Sequence, residues 1–300
     1  MFEALDAFLK AQDVKIEVKK DFPLRRISTI GIGGEASYVL YPRSVSQLVL
    51  LVQLLHREEI PYIISGRMSN VLLSDSVYHG VVIRTDKLCG VASDGSTLFC
   101  ECGVTLASLA RACISEELTG LEELFGIPGS IGGSVIGNAG AFGREIADVI
   151  KCVVAYNVES EEQYVLNSSD MKYSYRSSYL KGKEQIVLGA QLSLAKSERS
   201  AILDKSNEYK RIRAQTQPIG EKSLGSIFKR CAGRSAGELI DMCGLKGLAV
   251  NDAQISHKHA GFIVNNGNAA ASDVVSLMGI ARCEVKNKFG LVLEPEIVIM

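Results

Sequence analysis

Apolar residues return at Val45, Leu48, Val49, Val52 and Leu55, the spacing of one helical face, directly behind Ser44, whose hydroxyl suits an N-cap. Pro61 closes that helix and Tyr62 to Ser65 resume as a short strand, so residues 36 to 70 read as strand, helix, strand and loop. Strands follow at 81 to 84 and 97 to 102, after which Leu106, Leu109, Ala110, Cys113 and Ile114 mark a second amphipathic helix that stops near Gly120. Further strands are expected at about 149 to 158 and 163 to 166. IVLGAQLSL, residues 186 to 194, then alternates in a way that predicts a half-exposed sheet face.

From about 196 to 215 the pattern gives way to KSERSAILDKSNEYKRIRAQ, a charged stretch with Ile202, Leu203 and Ile212 as sparse apolar points, and the domain boundary is placed there. The last third gives a helix opened by the capping box Ser235-Ala-Gly-Glu238, a strand at Gly261 to Val264, and a helix from about Ser272 to Phe289. It ends in LVLEPEIVIM, a strand that Pro295 makes an edge or a bulged one. The chain is α+β, without internal repeats or low-complexity tracts.

A chain of 300 residues buries a substantial core, and 47% hydrophobic with 22% charged residues is ordinary for a globular protein. No segment approaches an uninterrupted apolar membrane span, and Glu3, Asp6, Asp13 and Glu17 break up the apolar positions that a secretory signal needs. The eight cysteines form no C-x-x-C pair, so zinc and a disulfide framework are not expected, and the reading is a cytoplasmic protein with reduced, mostly core thiols. A formal net charge of −1 speaks against a general nucleic-acid binder. Any anion site must be local.

Three glycine-bearing loops are candidates for such a site. GIGGEA, Gly31 to Ala36, fits G-x-G-x-x-A, but PLRRISTI before it is no buried strand and no acid follows some twenty positions on, so a Rossmann site would lack its ribose anchor and is disfavoured. GIPGSIGGSVIGNAGAFG holds seven glycines between Gly126 and Gly143, yet no Lys-Ser or Lys-Thr follows to make it a Walker loop. Closely spaced glycines still let a backbone turn its N–H groups onto an anion. GRMSN, Gly66 to Asn70, follows a strand and offers a second such turn. Two backbone nests suggest a diphosphate.

In order along the chain stand Ile32-Gly-Gly34, Gly66-x-x-Ser-Asn70, GIPGSIGG with Asn138-Ala-Gly140, and Tyr175-Arg-Ser-Ser178. Gly225-Ser-Ile-Phe-Lys229, Lys258-His-Ala-Gly-Phe262 with Val264-Asn265, and Glu294-Pro-Glu296 complete the series. From about residue 22 to 300 it resembles the UDP-N-acetylenolpyruvoylglucosamine reductases of bacterial peptidoglycan precursor synthesis. The resemblance implies an FAD-binding domain of the vanillyl-alcohol-oxidase (PCMH) type over residues 1–198, with two α+β subdomains split near 70–80. A smaller α/β substrate domain over 199–300 would follow. It also implies the reaction: NADPH reduces FAD, which passes a hydride to the enolpyruvyl ether of UDP-N-acetylglucosamine, giving UDP-N-acetylmuramate. The shorter subclass is indicated, because no inserted tyrosine-bearing loop is found.

By the same resemblance Ser226 is the proton donor, Arg176 stabilises the enolate, and Glu296 assists the enol intermediate, with Glu294 as the fallback two residues away on the same strand face. Hydride addition builds negative charge beside a carboxylate, so a planar guanidinium and an acid are the groups the chemistry calls for. Contacts to FAD are expected from Ile32, from Gly66, Arg67, Met68, Ser69 and Asn70, and from Pro128, Gly129, Ser130, Gly132, Gly133, Asn138, Ala139 and Gly140. Tyr175 and Lys229 are expected at the substrate. The basic run Lys205, Lys210, Arg211, Arg213 and Lys222 reads as a solvated helix face or a phosphate contact, and His257 with His259 as structural, so no metal is assigned. Met68 replaces the family's usual glycine, Gly137 a bulkier residue, and Arg230-Cys231 the frequent Asn-Pro. Two rivals stand beside this reading, another flavin enzyme of the superfamily and a non-catalytic nucleotide-binding module. Partners other than the small-molecule substrate, whether nucleic acid or membrane, are not expected, and the sequence does not give the oligomeric state.

Overall fold

The computed structural model describes residues 2–11 and 15–300; Asp13, one of the acids that interrupt the N-terminal apolar pattern, lies outside them. The chain divides into two compact units that interleave along the sequence. The first takes the chain up to Lys20, Tyr38–Gly66 and His79–Lys210; the second takes Asp21–Ser37, Arg67–Tyr78 and Arg211–Met300. A single cut near residue 199 is therefore not how compactness divides the chain. Two early segments pack with the last third because Ile30, Ile32 and Leu72 are buried among Leu224, Leu239, Ile263 and Leu277.

The first unit opens with α1 (Glu3–Ala11) and carries most of a four-stranded sheet ordered Glu17–Pro23, Glu35–Tyr41, Tyr78–Arg84, Tyr62–Ser65. The last two strands are parallel. Helix α2 (Val45–Arg57) forms as its pattern predicts: Ser44 Oγ accepts the Gln47 N–H at 3.2 Å, and Leu48, Leu51, Val52 and Leu55 are buried. Each of those side chains contributes about 1.5–3 kcal/mol by leaving water.

A five-stranded antiparallel sheet follows, ordered Glu162–Asn167, Ile150–Asn157, Gln185–Ser193, Thr97–Glu101, Val91–Asp94. The half-exposed face expected for residues 186–194 is found only toward the strand's end: Ile186 to Ala190 are all buried, while Gln191 and Ser193 are more open than Leu192 and Leu194 between and after them. That strand is central, α4 (Ile131–Gly137) packs on it, and the alternate face there holds Val187 and Gly189, which are apolar or small rather than polar. Between these elements α3 (Leu106–Ser115) starts at Thr105, whose Oγ1 accepts the Ser108 N–H at 3.0 Å. Cys100, Cys102 and Cys113 sit in this core, and burial pushes their thiols up to about 12. The charged stretch is one unbroken helix, α5 (Arg199–Thr216), and the division between units falls inside it.

The second unit holds a four-stranded antiparallel sheet ordered Ser223–Ser226, Phe262–Asn265, Ala253–Ile255, Ala249–Val250. Helices α6 (Ala236–Met242) and α7 (Ala271–Phe289) help to bury its core. Asn265 Nδ2 donates to Ile30 O at 2.9 Å, and Thr29 Oγ1 to Ser223 O at 2.8 Å, which pins the early segment to this sheet.

Two local expectations are corrected here. Ser235 stands at the N-cap of α6 but its hydroxyl makes no capping bond; the entry is fixed by a hairpin in which Cys231 and Arg234 exchange both backbone hydrogen bonds at 3.0 Å. The strand expected over 291–300 shrinks to Val298–Ile299, paired in parallel with Val71–Leu72. Pro295 has no N–H to continue a ladder, so the chain there is held from either side. Lys229 N–H donates to Glu294 O at 2.9 Å and Glu296 N–H to Ile227 O at 2.8 Å.

Among the described residues no helix is long and apolar enough to cross a membrane, and no three His, Cys, Asp or Glu side chains gather as a metal site would need.

Candidate active site

In the first unit the strand Tyr62–Ser65 delivers Gly66 to its C-terminal end, and the long glycine loop turns into α4 at Ser130. A Cβ placed on Gly66 would fall onto the Ser130 hydroxyl, so the two loops meet where only a glycine fits. The long loop is laced to the chain before α3: Leu106 N–H donates to Gly129 O at 3.1 Å, and Ile131 N–H to Val104 O and Gly132 N–H to Cys102 O, both at 2.8 Å. The Gly132 amide is therefore committed to protein and does not face an anion. What Gly132 supplies is closeness, since a Cβ there would stand 3.2 Å from both Cβ and O of Cys102.

Ser65 carries a buried hydroxyl with no hydrogen-bond partner among the described residues, immediately before Gly66. A buried hydroxyl left alone costs about 1–3 kcal/mol. An orphan donor next to two apposed glycine turns fits an acceptor-rich group such as the FAD diphosphate.

Asn138 caps α4 in the left-handed conformation, φ 45°, and is fully buried. Its Nδ2 donates to Glu145 Oε2 at 2.7 Å and Ser174 O at 3.0 Å, and its Oδ1 accepts from Ala147 N–H at 3.3 Å. The Ala139 amide is taken by Ser134 O at 2.9 Å. The Asn138 side chain and the Ala139 amide thus organise the loop rather than reach a ligand.

The Ser174 carbonyl held by Asn138 opens the turn that carries Arg176. Ser174 and Ser177 exchange both backbone hydrogen bonds, at 3.1 and 3.0 Å, leaving Tyr175 and Arg176 at the tip. Arg176 has φ 57° at the second central position, where glycine is the usual occupant. Its guanidinium lies over the Tyr175 ring at 5.2 Å, and Nη2 donates to Gly140 O at 3.2 Å. Ser178 Oγ, donating to Ile136 O at 2.8 Å, ties the turn to α4. A strained residue held by this many partners is what functional sites commonly contain.

Acids that the sequence pattern did not single out anchor the entry to the glycine loop. Glu122 and Glu123 are buried at 1% and 8% exposure. Glu122 accepts from Thr119 Oγ1 at 2.5 Å and Gly120 N–H at 3.0 Å, while Lys205 Nζ stands 3.5 Å from Glu122 and 3.0 Å from Glu123. Burial pushes the Glu122 carboxyl up, but these donors outweigh it and the net shift is downward. Their flanks, Leu121, Leu124 and Phe125, were the available signal for burial. The basic run is accordingly not one solvated face: Lys205 serves these acids and Arg213 is buried, whereas Lys210 and Arg211 are exposed.

In the second unit Met68 has φ 50° and is 4% exposed, so a methionine occupies a left-handed position that favours glycine. Ile32 is a core side chain, leaving only its backbone for a ligand. Asn70 Nδ2 donates to Glu296 O at 3.2 Å, and Val298 N–H to Asn70 O at 2.9 Å, so the GRMSN turn holds the segment that carries Glu296.

Ser226 ends the first strand of that unit's sheet, opposite Phe262, with Gly225 before it at φ 76°. Glu296 is half-buried and bonded through its backbone to Ile227, the residue after Ser226. Glu294 has an exposed side chain, 71% accessible, and pairs with Lys229 Nζ at 3.1 Å. The two acids lie outside any regular strand and share no strand face, and it is the backbone of Glu296 that is bonded next to Ser226. Lys229, expected at the substrate, is engaged by Glu294.

Residues 36–160 match the family model of the FAD binding domain, and residues 217–300 match the C-terminal domain of UDP-N-acetylenolpyruvoylglucosamine reductase. The chain is 43% identical to that reductase from Caldicellulosiruptor bescii, over 94% of this chain and 90% of the relative. It is 37% identical to the one from Clostridium kluyveri, over 99% and 96%. The crystal structure of the reductase from Thermus caldophilus superposes with a TM-score of 0.80 at 32% identity, covering 95% of this chain and 98% of that one. Alkyldihydroxyacetonephosphate synthase, TM-score 0.51 at 15% identity over 65% of this chain and 40% of its own, shares the fold alone. The fold is α+β, an FAD-binding domain of the vanillyl-alcohol-oxidase type followed by a C-terminal domain. By these matches the chain belongs to the UDP-N-acetylenolpyruvoylglucosamine reductase family.

Proposed function

We propose that the chain reduces UDP-N-acetyl-3-O-(1-carboxyvinyl)glucosamine to UDP-N-acetylmuramate with NADPH, as a cytoplasmic flavoenzyme of peptidoglycan precursor synthesis. The observation that carries the reading is the bridge by which Glu296 is bonded to Ile227 beside Ser226. It sets the backbone of a glutamate beside that of a serine from a distant part of the sequence, and neither an alcohol-oxidising flavoenzyme nor a non-catalytic nucleotide module needs that pair. Residues 1–198 would then hold FAD, with Tyr175 and Arg176 reaching the substrate from that part of the chain, and 199–300 would hold the rest of the substrate.

The Gly66–Ser130 apposition with the Ser65 hydroxyl would hold the FAD diphosphate, helped by the backbone of Gly129 and Gly133. When bound, FAD supplies a hydride carrier between NADPH and the enolpyruvyl carbon. The Arg176 guanidinium, planar and permanently charged, stabilises the carboxylate-enolate that hydride addition creates. Ser226 gives its proton to the neighbouring carbon: a serine hydroxyl is a poor acid in water, but an enolate carbon held against it is basic enough to take the proton. Glu296 hydrogen-bonds the enol oxygen. Tyr175 keeps Arg176 oriented through its ring and meets the sugar nucleotide at the exposed tip.

Ser226→Ala tests the proton-donor role. Reduction of the flavin by NADPH should stay within about twofold of wild type, while reoxidation by the enolpyruvyl sugar nucleotide falls by a factor on the order of 10²–10⁴. Equal slowing of both half-reactions would contradict it.

A further inference from the structure

The motif Lys258-His-Ala-Gly-Phe262 contributes none of the groups assigned above, yet its histidine is built into the backbone that carries Ser226. His259 Nδ1 accepts the Gly261 N–H at 3.1 Å. The carbonyl of that same Gly261 accepts the Ile227 N–H at 2.9 Å, one residue beyond Ser226. Phe262, next along, stands opposite Ser226 in the sheet, and its N–H returns to His259 O at 2.9 Å. The imidazole meets the Phe262 ring edge-on, 4.9 Å between centroids and 67° between planes.

The space around the ring is closed as well. A Cβ on Gly237, in the first turn of α6, would stand 2.8 Å from His259 Cε1, and one on Gly261 would stand 2.9 Å from the same atom. Two glycines therefore flank the imidazole because it fills the room a side chain would need, which fixes the direction of Nδ1.

We propose that His259 is a positioning residue for Ser226: as a neutral imidazole it holds Gly261, and through Gly261 the strand end on which the proton donor sits. This inference rests on the reading of Ser226 as that donor. Only the Nε2–H tautomer has a lone pair at Nδ1, so protonation would turn Nδ1 into a donor facing a donor.

Burial holds the His259 pKa below the ordinary imidazole value, and Lys246 acts in the same direction, against Asp241 on α6. Lys246 and Asp241 are themselves paired at 2.6 Å. The strand Phe262–Asn265 adds no charged side chain. Because the folded value is depressed, the Gly261 bond is complete at and above the ordinary imidazole range. It is lost only as the pH falls below that range.

The test follows the NADPH and enolpyruvyl half-reactions of the FAD-loaded protein between pH 5 and 8, alongside the His259 imidazole resonances and hydrogen exchange at the Gly261 and Ile227 amides. Wild type, Ser226→Ala, His259→Leu and His259→Asn, whose Oδ1 can stand where Nδ1 stands, are compared. His259→Leu should slow reoxidation by about tenfold or more, the equivalent of one lost hydrogen bond, and speed exchange at both amides while flavin reduction by NADPH is retained. His259→Asn should restore the rate and abolish the acid limb that tracks the His259 titration in wild type. Wild-type reoxidation in His259→Leu, or an unchanged acid limb in His259→Asn, would overturn the proposal. Should His259→Leu fail to fold, the wild-type titration and His259→Asn decide the matter. If Ser226→Ala reoxidises like wild type, the donor reading itself has failed; if it is crippled while both His259 variants behave as wild type, this inference alone fails.

Discussion

Gly66 and Ser130, from two loops 64 positions apart in sequence, occupy adjoining space that leaves no room for a Cβ on residue 66. Gly66→Ala is expected to purify without visible flavin absorbance, because the two turns must part to admit a methyl group. Pairing it with Ser130→Gly should recover part of the flavin, since glycine at an N-cap costs only a few tenths of about 1 kcal/mol relative to serine. Gly66→Ala with full flavin content would show that the apposition is not where the cofactor is held.

Met68 combines a left-handed backbone with a buried side chain, and two substitutions separate those terms. Both Met68→Gly and Met68→Ala lose about 1.5–3 kcal/mol of apolar burial. Glycine also relieves strain of about 1–2 kcal/mol that alanine keeps. Urea unfolding should therefore rank Met68→Gly above Met68→Ala in stability by about 1 kcal/mol, the reverse of the usual order. Alanine proving equal or better would mean that position 68 is unstrained.

Glu122 makes stability depend on acidity. Its carboxyl is held below the ordinary value of 4.5, as donated hydrogen bonds and Lys205 outweigh burial. The unfolded chain then binds the proton more readily, so this contribution is complete above the ordinary carboxylate range and is lost as pH falls through 4.5 toward the depressed value. Glu122→Gln should cost about 1–3 kcal/mol near neutral pH and narrow the gap between urea midpoints at neutral and acidic pH. An unchanged gap would assign the acid sensitivity elsewhere.

Helix α2 was legible because Ser44 and its apolar stripe agree, and the long helix α7 lay within a residue of its expected start. Residues 186–190 misled because a small residue, Gly189, imitates a polar one in an alternating pattern. The proposed catalytic trio could be named only through ordered motifs: nothing local distinguishes Ser226 from a turn serine or Arg176 from a surface arginine. The roles of Asn138 and Asn70 were not legible, since both depend on hydrogen bonds to residues 36 and 226 positions away. The Glu122–Lys205 anchor was hidden for a different reason, because composition puts charges outside and only the tertiary structure reveals a buried acid whose partners have been brought to it.

The central claim is that this chain passes reducing equivalents from NADPH to an enolpyruvyl sugar nucleotide. The most direct measurement is NADPH consumption by the flavin-loaded protein with and without UDP-N-acetyl-3-O-(1-carboxyvinyl)glucosamine, with mass analysis of the sugar nucleotide. The account predicts consumption that depends on that substrate, stops when it is exhausted, and leaves a product heavier by two hydrogens. NADPH consumption at the same rate in its absence, or an unchanged sugar nucleotide, would contradict it.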